Sequence, residues 1–160
     1  LSKTGLIESA RALAEASPRA ARAFEGVVDA CAADLTRSMK LVPELENIIG
    51  EGNLDVMETN HGNHFRYMCS ASALFDPTSF VETVLWVLRA YRARGFSVRY
   101  WNVMLPKALE TLRAHLGPSD YEEIRPFYEW LLDSMPAFVR LSETELSAYE
   151  QMGGAHGLHD

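Results

Sequence analysis

Residues 53–75, NLDVMETNHGNHFRYMCSASALF, decide the fold. Leu54, Met57, His61, Phe65, Met68, Ser72 and Phe75 recur every three or four residues. That is the period of one face of a helix. Asn53 is a favoured N-cap, so one long helix is expected to begin there. His61 falls in the middle of the apolar stripe and His64 on its edge. Titratable groups meet a candidate core here, so a pocket is expected against this face.

The flanking segments share the helical period. Upstream, Ser2 is placed to cap a helix reaching about Glu15. Ser17-Pro18, a cap followed by proline at the first helical position, opens a second one to about Met39. Phe24, Val27, Val28, Cys31, Leu35 and Met39 form its stripe. Pro43 begins a short helix carrying Leu45, Ile48 and Ile49, which Gly50-Glu51-Gly52 ends. Downstream, Asp76-Pro77 starts a helix closed by Gly95. Its middle, Val84 to Leu88, is apolar on nearly all sides, which implies packing between neighbours.

Ser97 is expected to cap a helix to about Leu116, with Trp101, Met104, Leu105, Ala108 and Leu112 inward and a kink from Pro106. Another helix follows Gly117-Pro118-Ser119 and holds Tyr121, Ile124, Phe127, Trp130 and Leu131, with Pro126 inside it. Pro136 reads as a break, and Ser142-Glu143-Thr144-Glu145 as a capping box for a last short helix. From Gly153 the glycines read as a flexible tail or the start of a linker, with His156 and His159 solvated. The expected architecture is all-α: about eight helices, several kinked, in one domain over residues 1–152 and a tail at 153–160.

Composition narrows the partners. A chain of 160 residues can bury a core without staples, and 48% hydrophobic with 23% charged residues is an ordinary globular balance. The net charge of −7 repels phosphate and so argues against nucleic acid or an anionic membrane as partner. Arg89, Arg92, Arg94 and Arg99 are the nearest thing to a basic patch, but the end of a helix favours such residues anyway. Cys31 and Cys69 lack a C-x-x-C context and read as buried thiols in a reducing cytoplasm. No run has the length of a transmembrane helix.

Glu58-x-x-His61 and His61-x-x-His64 have the spacing of metal ligands on one helical face. The E-x-x-H element occurs once, whereas a di-iron bundle needs it twice. Hydrogen bonds from both histidines to neighbouring helices are the simpler expectation, with metal or haem binding through Glu58, His61 and His64 as the alternative. Nucleophile elbows, phosphate loops and dinucleotide fingerprints are missing from the sequence, and no cofactor is called for. Met57, Phe65, Met68, Tyr91, Trp101 and Met104 are all expected to face inward on adjacent helices. Such soft and aromatic side chains suit a small apolar ligand.

The texture of NHGNHFRYMCSA (60–71), FVETVLWVLRAYRARGF (80–96) and YWNVMLPKALETL (100–112), in that helix order, resembles the second half of a globin. Residues 53–75 stand where the distal helix stands. Residues 76–95 take the place of the helix that carries the proximal histidine, and contain no histidine. The chain is similar to the non-haem globin-like sensor domains at the N-terminus of bacterial stress-response and signalling proteins, the stressosome regulators among them. The resemblance implies a non-catalytic sensory or regulatory domain. It also implies a homodimer formed through helices, a downstream signalling partner, and an internal cavity for a small hydrophobic ligand such as a fatty acid.

The expected ligand-binding residues are His61, His64, Phe65, Met68, Tyr91 and Trp101. A carboxylate head would be met by protonated histidine, with binding that strengthens as the pH falls through about 6.5. The dimer is expected to pair the first helix with the segment carrying Phe138, Val139 and Leu141.

Overall fold

A computed structural model describes the backbone of residues 1–156 and the side chains of residues 1–144. It contains seven α-helices and, among the described residues, no strand. They are α1 (Lys3–Ala10), α2 (Pro18–Lys40), α3 (Leu45–Ile49), α4 (Leu54–Ala73), α5 (Pro77–Ala93), α6 (Arg99–His115) and α7 (Pro118–His156). Among these residues no helix is long and apolar enough to cross a membrane.

Local sequence explains most starts. The Ser2 hydroxyl accepts from the Gly5 N–H at 3.0 Å, and the Ser17 hydroxyl from the Ala20 N–H at 3.2 Å, each filling an orphan donor of a first turn. Ser17 is also anchored from afar, since the Glu123 carboxylate accepts from its backbone N–H at 2.8 Å and its hydroxyl at 3.0 Å. That contact fixes the start of α2 on α7. The apolar stripe of α2 (Phe24, Val28, Cys31, Leu35 and Met39) is buried, and α2 packs on α4, α6 and α7. Further packing joins α6 to α7, α5 to α7, α1 to α5 and α7, and α3 to α4 and α6.

Three expectations are corrected. First, α1 ends at Ala10 and not near Glu15. The chain beyond it crosses the end of α4, where the Ala16 N–H donates to the Ser72 carbonyl at 2.8 Å and Glu15 accepts from the Phe75 N–H at 2.9 Å. These partners compete with further helix.

Second, there are seven helices rather than about eight, because α7 runs through Pro126, Pro136 and Ser142 without a break. Each proline removes one backbone hydrogen bond. The face formed by Ile124, Phe127, Tyr128, Leu131, Met135 and Phe138 is buried, and this packing outweighs the loss. The Ser142 hydroxyl donates to the Val139 carbonyl at 2.8 Å inside the helix instead of capping a new one. The backbone of α7 includes Gly153 and Gly154, while residues 157–160, with His159, lie outside the described residues.

Third, α5 is not buried on all sides. Phe80, Val81, Leu85 and Leu88 face the core, but Trp86 is 66% exposed. Phe138 is fully buried in its own core, and Val139 and Leu141 pack against it, so the Phe138 side chain is spent within the chain.

Candidate functional site

Helices α4 and α5 are joined by a short turn, pinned together at both ends, and stand apart between. Near the turn, Tyr67 of α4 stacks on Phe80 of α5 with ring centroids 6.3 Å apart. Phe75 meets Phe80 at 5.5 Å and Phe127 at 5.1 Å, edge to face.

The far pin is Asn53. Its side chain makes no cap hydrogen bond to α4, contrary to the expectation. Nδ2 donates instead to the Ile49 carbonyl at 2.8 Å and the Arg94 carbonyl at 2.6 Å. It thereby satisfies open carbonyls where α3 and α5 end. The two chain segments touch here. A Cβ on Gly50 would lie 2.9 Å from the Gly95 carbonyl oxygen, and both glycines have positive φ, 87° and 100°. Only glycine allows that crossing.

Between the pins lies a cleft of about 770 Å³. Val56, Asn60, His64, Tyr67 and Met68 line it from α4, and Thr83, Val84, Val87, Ala90 and Tyr91 from α5. Trp101 and Leu105 of α6 and Leu131 and Met135 of α7 form the floor. The rim carries Asp55, Thr59, Asn63, Trp86 and Arg94, all exposed. Tyr91 is held by rings, with Trp101 at 4.8 Å, Phe96 at 5.0 Å and Tyr100 at 5.8 Å.

Of the six expected ligand-binding residues, His64, Met68, Tyr91 and Trp101 line this cleft. His61 and Phe65 do not. Phe65 is fully buried on the opposite side, edge to face with Phe24 of α2 at 6.4 Å. His61 is fully buried too, with Nδ1 2.7 Å from the Thr36 hydroxyl and Nε2 3.2 Å from the Tyr100 hydroxyl. A neutral imidazole donates through one nitrogen and accepts through the other, so both hydroxyls are matched at once. His64 places Nε2 2.9 Å from the hydroxyl of the buried Tyr128.

The reason for the split is angular. Three residues of helix turn through about 300°, so His64 sits about 60° round the helix from His61. His61 lies on the stripe facing α2 and α6, and His64 on the flank facing the cleft.

This geometry sets the electrostatics. Burial lowers the His61 pKa to about 4, and burial followed by the neighbouring His61 lowers that of His64 to about 3. Both are neutral at pH 6.5, so the expected capture of a carboxylate by protonated histidine does not operate there. Burial also raises the pKa values of Tyr91 and Tyr100, which keeps their hydroxyls protonated.

Glu58 does not converge with the histidines. It is exposed and lies 3.8 Å from Lys40 Nζ of α2. Among the described residues, no group of three or more His, Cys, Asp or Glu side chains could hold a metal ion. Cys31 and Cys69 are free thiols, buried and half-buried, and burial raises the pKa of Cys31 to about 11.

Val56, Asn60 and Tyr67 line the cleft without any signal read from the sequence, and Val84 and Val87, expected to pack between neighbours, line it too. Val56, Asn60, His64 and Tyr67 follow one another at helical spacing, a second and weaker stripe beside the strong one. That mixed stripe was the available signal. No family model, curated protein or solved structure matches this chain at a significant level.

Proposed function

We propose that this protein is a non-catalytic sensory or regulatory domain that holds a small, largely apolar molecule between α4 and α5. The observation that carries the reading is the cleft itself, about 770 Å³, walled by aliphatic and aromatic side chains with few polar groups among them. Ligand sites for small molecules have this size and this mixture.

The globin-like assignment belongs to the same proposal. Its support is the helix order together with the packing of α2 on α4 and α6, of α6 on α7, and of α5 over α7. In that frame the cleft occupies the position of a haem cavity. The output is a change in the spacing of α4 and α5, passed to a second copy or a downstream protein. Native mass spectrometry of freshly purified protein, followed by organic extraction, tests the reading. The expected result is a small molecule bound one to one. Protein that stays ligand-free from every expression host, and whose stability no extracted small molecule raises, would remove it.

A further inference from the structure

Resting on the ligand reading just given, we infer that the cleft selects an uncharged aromatic ligand and discriminates against the carboxylate of the same shape. The argument starts from the charges that line it. There are two, Asp55 and Arg94, of opposite sign. Asp55 lies in the first turn of α4 and Arg94 at the C-terminal cap of α5, so both stand at the end pinned by Asn53. Both are exposed at the rim. Further in, every polar group is neutral.

Two of these neutral groups are available to a ligand. The His64 Nδ1 and the Tyr91 hydroxyl have no hydrogen-bond partner among the described residues, and neither is sealed inside the protein. His64 is a neutral imidazole held through Nε2 by Tyr128. Half-buried neutral groups of this kind pair with an amide, hydroxyl or carbonyl. An anion placed there would lose its hydration with no opposite charge to replace it. The walls match a flat body, because Tyr67, Tyr91 and Trp101 present rings to the space. A fatty acid, the ligand suggested by the globin resemblance, supplies neither the flat body nor the neutral head.

The test is an isosteric pair, naphthalene-2-carboxamide and naphthalene-2-carboxylate, titrated into the full chain at pH 7.5 by ligand-observed NMR. The carboxamide is expected to bind at least tenfold more tightly. That advantage should shrink several-fold in Tyr91→Phe, a change that removes one hydroxyl and keeps the ring. Carboxylate binding that equals or exceeds carboxamide binding, and falls in Arg94→Gln, would overturn this inference and leave the ligand cleft standing. Binding of neither probe would overturn both.

Discussion

The two flanks of α4 are built from the same 20 residues and end differently. Toward α2 the contact is filled. Met57, His61 and Phe65 are fully buried, and the one titratable group among them has a partner on each ring nitrogen. Toward α5 there is a slot pinned only at its ends. The difference lies in composition. The filled flank is a strong apolar stripe, whereas the other mixes Val56, Asn60, His64 and Tyr67, side chains that meet either water or an apolar surface. A strong stripe therefore marks where a helix packs, and the mixed stripe next to it marks where something else can enter.

Truncation on the filled flank should give the largest effect. Phe65→Ala removes a fully buried ring and is expected to cost about 3–5 kcal/mol. Val87→Ala, on the cleft side, should cost about 1 kcal/mol or less, because its side chain already borders a void. Urea denaturation of the two variants measures the contrast. Equal losses would mean that the two flanks are packed alike.

Acid comes next. The unfolded chain protonates both histidines near pH 6.5, while the folded chain holds them neutral to about 4 and about 3. Between those values the unfolded state binds more protons. Stability is then complete above pH 6.5 and is lost as the pH falls toward about 4 for His61 and about 3 for His64, by up to about 1.4 kcal/mol per pH unit for each imidazole. This window opens at higher pH than the one in which Glu123, whose pKa is lowered by its bonds to Ser17, gives up its own contribution. The slope of stability against pH between 6.5 and 4.5 should be roughly halved in His64→Gln. A flat profile in the wild type would show that the histidines are hydrated, and the two flanks would then differ less than their geometry says.

Much of this was legible in the sequence, for identifiable reasons. Buried faces impose period, so α2, α4 and α6 could be read from their stripes, and serine caps marked α1 and α2. The continuity of α7 was not legible. Pro136 and the Ser142 motif are local signals, and they were overridden by a packed face drawn from α5 and α6, which no local window contains. The site was half legible for a similar reason. Met68, Tyr91 and Trp101 are legible as soft or aromatic side chains near the core, and His64 as a titratable group on the edge of the apolar stripe. His61 and Phe65 share that stripe with Met68, but at these two positions it meets α2, through Thr36 and Phe24, a partner that the period alone does not name. The gap between α4 and α5 depends on Asn53 reaching a carbonyl 41 residues away, a contact with no sequence signature.

That contact gives a smaller prediction. Asn53→Ala removes two hydrogen bonds to terminal carbonyls, one of them to the exposed Arg94, and should cost about 1–2 kcal/mol. Hydrogen exchange should speed up at the last turn of α5 and leave the centre of α2 unchanged. Protection lost uniformly would mean that Asn53 serves the whole fold and not the end of the slot.

The smallest effect on stability should come from the substitution that matters most for function. Val87 is half-buried on the cleft side of α5, so an indole built there has open space to enter. Met57 is fully buried on the filled flank, and an indole there must push into packed neighbours. Val87→Trp is accordingly expected to leave stability within about 0.5 kcal/mol of the wild type, whereas Met57→Trp should lose about 1–3 kcal/mol by overpacking. Denaturation midpoints at unchanged m-value compare them directly. The same two proteins separate packing from binding. Val87→Trp should lose any molecule that co-purifies with the wild type, since the indole occupies its place, and Met57→Trp should keep it as long as the protein is folded. If Val87→Trp proves as destabilising as Met57→Trp, the space between α4 and α5 is closed in solution, and with it goes the reason for assigning a ligand to that flank.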